Sequence, residues 1–514
     1  MVERAEHSDK GVFMKIRVSV RAVAVAIAAG LVLTGCAAPE PSAPTGPQTL
    51  NLSVQAPPSD FSVGNWTGGD PTLLLSIYDT IVGVDGKGAI VPAIAESWEY
   101  SDDSLTLTFT IREGQKFSNG EIVDAAAVAA SLQQSRQGAS SSANLASIAD
   151  VTAPDDTTVV VTLAEPDAAL LTLLGGAAGV VGAPSVLTAE SSTLEPVGSG
   201  AYTLDKAATT VGSVYSLTRN DDNWNADAYP FETVKMTVIA DDTAALNALK
   251  AGQLDYGRIS EAQIAQFPES EYTTGESLPA AVGGLWLVDR AGDIVPALAD
   301  VRVRQAINMA LDRDSIASNL TEGAFPTTQI YSPTGEAYSK DLEETYPFDV
   351  EAAKGLMAEA GYADGFEITM PSTVISQVYD ATISQELSEI GITVNYETVP
   401  FQDFYSKVFG GNYAMYFMFN GFSGNDAQDT NSVMGGVFNP FGTTTPELDE
   451  LLDAANAAPL DEQGEAFAAV NEYLVDEAWF APISYATGVW VATNRITFTP
   501  PVSQHDVLPF GLAD

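Results

Sequence analysis

The chain of 514 residues is 46% hydrophobic and 18% charged, a globular composition with length enough for two or three domains. With 22 Lys and Arg against 68 Asp and Glu its net charge is −46, which repels phosphate backbones and argues against nucleic-acid binding. A single cysteine excludes an intramolecular disulfide, and two histidines, His7 and His505, exclude a multi-imidazole metal site.

Lys15, Arg17 and Arg21 precede an apolar run from Ala22 to Leu33, and the run closes with Leu33-Thr34-Gly35-Cys36. A short apolar stretch behind basic residues is an export signal, too short for a stop-transfer helix. The closing tetrapeptide resembles a bacterial lipobox, so residues 1–35 are expected to be removed and Cys36 to carry lipid. Met14 opens such a signal by itself, and residues 1–13 read as a start-site artefact. Residues 36–47, rich in Pro and Ala, read as an extended tether. The expected location is outside the cytoplasmic membrane, on its outer face.

Leu50 to Val54 alternates like a first strand, and a polar loop carrying Phe61, Asn65 and Trp66 follows. A hairpin is expected over Trp98–Ile111, with Leu105, Leu107, Phe109 and Ile111 on one face of its second strand. Asp124 caps an alanine-rich helix, Thr157–Leu163 is a strand, and a strand over Val234–Ile239 leads into a helix from Asp241. From Trp286 the rhythm restarts. Asp300 and Asp349 cap helices, Ser376–Ile390 is a helix between strands, and Thr445-Pro446 opens another helix. Two α/β regions in succession predict two lobes with a cleft between them.

No nucleophile elbow, Ser-x-x-Lys, His-Glu-x-x-His or phosphate-binding loop occurs, so nothing points to catalysis, to a cofactor or to a metal. Paired carboxylates carry little weight among 68 acids.

Several spaced motifs resemble one family. Pro92-Ala93-Ile94-Ala95-Glu96-Ser97-Trp98, the segment Phe109 to Gly120, Gly198-Ser199-Gly200-Ala201-Tyr202, Arg302-Val303-Arg304-Gln305-Ala306-Ile307 with Leu311-Asp312-Arg313, and Ala353-Lys354 to Ala360-Gly361 stand in the order of the solute-binding protein family 5 signatures. The resemblance implies an α/β, type II periplasmic-binding-protein fold, with two lobes around a ligand cleft and a small extra domain. It places the first lobe in residues 48–81, 196–285 and 480–514, the extra domain in 82–195 and the second lobe in 286–479. It further implies a monomeric receptor that closes by hinge bending on a peptide-like solute and docks on an ABC permease with its ATPase subunits. Trp98, Phe109 and Phe117 are expected in the core, and Arg302 and Arg304 in ion pairs or caps.

For the pocket, the strand Tyr413–Phe419 runs into Asn420-Gly421-Phe422-Ser423-Gly424-Asn425-Asp426. In dipeptide-binding relatives a similar stretch offers an aspartate to the peptide ammonium. Here Asn425 stands at that position and Asp426 one residue later, and an amide lacks the charge that strengthens an ammonium contact. No arginine lies between Pro371 and Tyr379 to meet a carboxylate terminus. These departures leave open longer peptides or a non-peptide solute such as an oligosaccharide, metal chelate or haem, and a sensory lipoprotein of the same fold. The expected ligand-binding residues are Phe61, Asn65, Trp66, Trp286, Asn420, Gly421, Phe422, Asn425 and Asp426.

Overall fold

In a computed structural model, residues 49–67, 71–187, 194–320, 324–502 and 509–513 are described. The export signal, Cys36 and the tether lie outside them. The alternation read from Leu50 to Val54 is the strand Thr49–Val54, whose Leu50, Leu52 and Val54 are buried. It pairs in parallel with Thr233–Val238, and Val214–Arg219 and Tyr202–Leu204 extend the sheet. A second, three-stranded sheet sets Val489–Thr493 between Tyr256–Ile259 and Tyr272–Glu276. Asp255, fully buried, joins the pieces of this discontinuous lobe. Its carboxylate accepts from Asn51 N at 2.8 Å and Thr493 Oγ1 at 3.1 Å and meets Arg495.

The predicted hairpin forms one side of a four-stranded antiparallel sheet, in the order Ala95–Tyr100, Thr106–Ile111, Thr158–Leu163, Ile148–Thr152. Asp124 caps the helix Ala125–Ser135 by accepting from Ala127 N at 2.8 Å. Phe109 and Phe117 lie in the core beneath, as their motif implied. The Gly198-Ser199-Gly200 motif has a packing cause. A Cβ on Gly198 would lie 2.3 Å from Ile77 O, and one on Gly200 2.6 Å from the same carbonyl. Gly200→Ala is therefore expected to destabilise the first lobe by about 1–3 kcal/mol, read from the urea midpoint, because backbone presses on backbone there.

The second lobe is built on a sheet ordered Phe325–Pro326, Ala481–Ala486, Ala281–Leu287, Met415–Gly421. One face, with Leu285, Met415, Phe417 and Ile483, packs under Val301–Ala310, Val350–Glu359 and Asp380–Glu389. The other, with Val282, Trp286, Tyr416, Met418 and Tyr485, packs under Phe401–Phe409, Pro446–Ala457 and Gln463–Asp476. The helix read from Ser376 begins only at Asp380, because Thr373 and Ser376 bond each other's backbone N–H and turn the chain first.

The lobe boundaries differ from the sequence reading. Strand Ala481–Ala486, assigned there to the first lobe's return, pairs within the second lobe's sheet, and the first lobe resumes at Val489. Strand Ala281–Leu287 likewise lies wholly in that sheet, so the first crossing falls at 277–280 and not at 286. The two crossings run side by side, with Ser277 N donating to Gly488 O at 2.7 Å and Ala280 N to Ala486 O at 2.9 Å.

Helix Val301–Ala310, with Arg313 at the start of the next helix, holds the root of one crossing strand. Gln305 donates to Asp476 O, Arg304 to Glu477 O and Ala478 O, Asn308 to Phe480 O and Arg313 to Pro482 O. A run of carbonyls that enters the sheet from a helix end lacks ladder partners, and these side chains supply them. Arg302 instead pairs with its own cap, Asp300, at 2.6 Å.

Candidate ligand-binding site

Strand Met415–Gly421 ends beside the first crossing, where Phe422 N donates to Ala280 O at 2.9 Å. Helix Asp426–Met434 begins four residues on, so the connecting loop sits at the junction of the lobes. The extra domain reaches the same loop. Its turn at Gly88 approaches so closely that a Cβ there would lie 3.0 Å from Gly424 O. Ala168 and Ala169 also pack into the second lobe's core cluster.

The polar side chains of this loop are largely engaged by its own fold. Asn425 is the N-cap, accepting from Gln428 N at 2.9 Å. Asp426 turns away and accepts from Ala337 N at 2.8 Å, and burial raises its pKa. Asp429 accepts from Ser423 N at 2.7 Å, and burial pushes its pKa up to about 7. Two amide groups are different. Asn420 Oδ1 accepts from Ser432 Oγ at 3.1 Å, while among the described residues its buried Nδ2 has no partner and Gln428 Oε1 is a buried acceptor without a donor.

Where the crossings leave the first lobe, a cavity of about 220 Å³ is lined by Ile259, Ser260, Glu261, Glu276, Thr487, Gly488 and Val489. Its lining holds two carboxylates and no basic side chain.

The sequence-predicted residues divide. Asn420, Gly421, Asn425 and Asp426 gather around one helix start at the lobe junction. Phe422 adjoins them but is buried against Tyr485. Phe61 is a core residue packed on Trp66 and Tyr215, at ring distances of 5.7 Å and 6.2 Å. Trp66 is half-buried against the same cluster. Asn65 Oδ1 accepts from Ala139 N at 2.8 Å and ties its loop to the extra domain. Trp286 is core as well, donating to Met418 O at 2.9 Å between Phe438 and Phe480. Asp289 accepts three backbone N–H bonds from Asp293, Ile294 and Val295. Sequence reasoning missed Gln428, Glu261 and Glu276. The acids gave no signal among so many others. Among the described residues no group of three or more His, Cys, Asp or Glu is placed to hold a metal, and no helix is long and apolar enough to cross a membrane.

Two lobes joined by paired crossings, with a cavity at the crossing, have the fold of the periplasmic binding proteins. AgaA from A. tumefacien R10, solved in complex with agropinic acid, superposes with a TM-score of 0.72 at 25% identity, over 91% of this chain and 99% of that one. The chain belongs to the bacterial extracellular solute-binding proteins, family 5, whose middle-region profile matches residues 89–442. The glutathione-binding protein GsiB of Escherichia coli O1:K1 is 28% identical over 331 residues, and that match spans 62% of this chain and 62% of GsiB. A probable di/tripeptide-binding protein 5 of Pseudomonas aeruginosa is 25% identical over 92% of this chain and 95% of its own.

Proposed function

We propose that this protein captures a small peptide between its lobes and delivers it to an ABC permease, held at the membrane by a lipid on Cys36. The observation that carries the reading is the junction itself. It offers an unpartnered amide donor on Asn420 and an unpartnered amide acceptor on Gln428, both buried beside the lobe crossing. A peptide backbone supplies the matching acceptor and donor, and a buried polar group gains most when its missing partner arrives. Glu261 and Glu276 on the cavity wall stand ready for the peptide ammonium, the part that Asn425 lacks the charge to play. Ligand contacts made only with the lobes together drive closure, since a ligand shifts an equilibrium by its differential affinity alone. The GsiB and di/tripeptide-binding relatives support peptides of two or three residues. A second reading, a charged non-peptide solute, is favoured by the likeness to AgaA.

The test is thermal unfolding of the protein lacking residues 1–36, with glutathione, dipeptides, tripeptides and their N-acetylated forms. Saturation at a hundred times Kd adds about 2.7 kcal/mol of stability. The expected result is a raised Tm with free-amine peptides, reduced by acetylation and reduced in Glu276→Gln. No shift with any peptide, alongside a shift with agropinic acid, moves the assignment to the second reading.

A further inference from the structure

Three guanidinium groups are buried around the root of the crossing strand, and their charges are met differently. Arg304 has a Glu477 carboxylate at 3.7 Å, and Arg313 is attracted by Glu343 and Glu386. Arg290, only 6% exposed, has no such acid among the described residues. Its Nε donates to Trp479 O at 3.0 Å and its Nη1 to Asn439 Oδ1 at 3.1 Å, both neutral acceptors. The group lies 4.5 Å from the centre of the Trp479 ring and 4.9 Å from that of Phe480, and Arg304 repels it. Among the described residues its Nη2 has no acceptor. Neither does Nε1 of Trp479, a side chain 2% exposed. The adjacent Asp289 is occupied with three backbone amides. Two unpartnered N–H donors thus belong to two side chains in face contact, around a positive charge without a counter-charge.

We propose that the second lobe binds a small monovalent anion of chloride type at Arg290 Nη2 and Trp479 Nε1. Burying an ion without a partner is costly, and an anion answers both the charge and the two donors at once. A water molecule accepts two such bonds but brings two hydrogens of its own and leaves the charge unmet. The nearby acceptors, Trp479 O and Asn439 Oδ1, are already in use. Multivalent oxyanions carry more acceptor capacity than two donors satisfy. Because Trp479 stands two residues before the crossing strand Ala481–Ala486, occupancy would firm the strand's root and with it the second lobe. The inference is independent of which solute the cleft takes.

Two measurements test it. Crystals of the wild-type protein grown in bromide are expected to show an anomalous peak between Arg290 Nη2 and Trp479 Nε1. In solution, wild-type Tm is expected to be higher in sodium chloride than in sodium gluconate at equal ionic strength. Arg290→Met should abolish that difference, and Trp479→Phe, which keeps a ring but removes the N–H, should diminish it. Absence of the bromide peak, equal wild-type Tm in the two salts, or a difference that persists unchanged in both variants overturns the proposal. The crystallographic arm uses the wild-type chain, so it stands even where a variant fails to fold.

Discussion

Replacing Arg313 with methionine is expected to destabilise the protein by more than about 3 kcal/mol, because several buried acceptors lose their donor together and each orphaned group costs about 1–3 kcal/mol. The guanidinium is 6% exposed. Its Nε donates to Pro482 O at 2.8 Å and Thr327 O at 3.0 Å, its Nη1 to Asn308 O at 2.7 Å, and its Nη2 to Asn308 Oδ1 at 2.7 Å. Burial pushes its pKa down to about 10, and Glu343 and Glu386 oppose that shift by attraction, so it remains the charged donor across the physiological range. Methionine fills much of the volume but offers no N–H. The measurement is urea unfolding followed by tryptophan fluorescence, and a loss below about 1 kcal/mol would mean that these carbonyls find other donors. Arg302→Met on the preceding helix, Val301–Ala310, whose pair with Asp300 is partly exposed, should leave the urea midpoint close to that of wild type.

Stability is expected to fall by several degrees of Tm as pH rises from 5 to 8. Burial raises the pKa of Asp79 to about 6 and those of Glu386 and Asp429 to about 7. A carboxyl group whose folded pKa exceeds its unfolded value holds its proton longer in the folded chain. Between the ordinary carboxylate range near 4 and those raised values, unfolding therefore releases protons, and each increment of pH favours the unfolded state. The penalty is absent below about pH 4 and complete above about pH 7. Self-repulsion at a net charge of −46 acts in the same direction. The opposite sign holds for Asp300, whose pKa the Arg302 hydrogen bond lowers, and for Glu397, lowered by the Lys407 hydrogen bond. Their contribution is lost only as pH falls below the ordinary carboxylate range. Asp429→Asn keeps an acceptor for Ser423 N and should flatten the slope between pH 5 and 8. A wild-type Tm that rises across this interval would contradict the account.

Local signals in the sequence located the elements well. Asp124, Asp300, Asp349 and Asn425 are N-caps, the first three readable because an acceptor precedes an apolar-periodic run. Asn425 was weighed instead as a ligand contact, since its position after a strand suited either role. The aromatic residues were the least legible. Phe61 and Trp286 have the size and polarity of cleft residues, and only the tertiary packing of Tyr215 on the one and Phe438 on the other reveals them as core. The lobe crossings were misplaced for a similar reason. Strand Ala481–Ala486 is a mostly apolar run broken only by Ser484, and such a run does not say which sheet will bury it. The purpose of the arginine motif was also hidden, because its partners are backbone carbonyls some 170 residues away, which leave no mark on side-chain identity.

Native mass spectrometry of the protein purified without denaturation tests the central claim most directly. The account predicts a non-covalent adduct that fragments as a di- or tripeptide, is lost on unfolding, and is regained when that peptide is added to the refolded chain. An adduct that fragments as a sugar, a metal chelate or haem, or a refolded chain that binds no peptide offered, would contradict it.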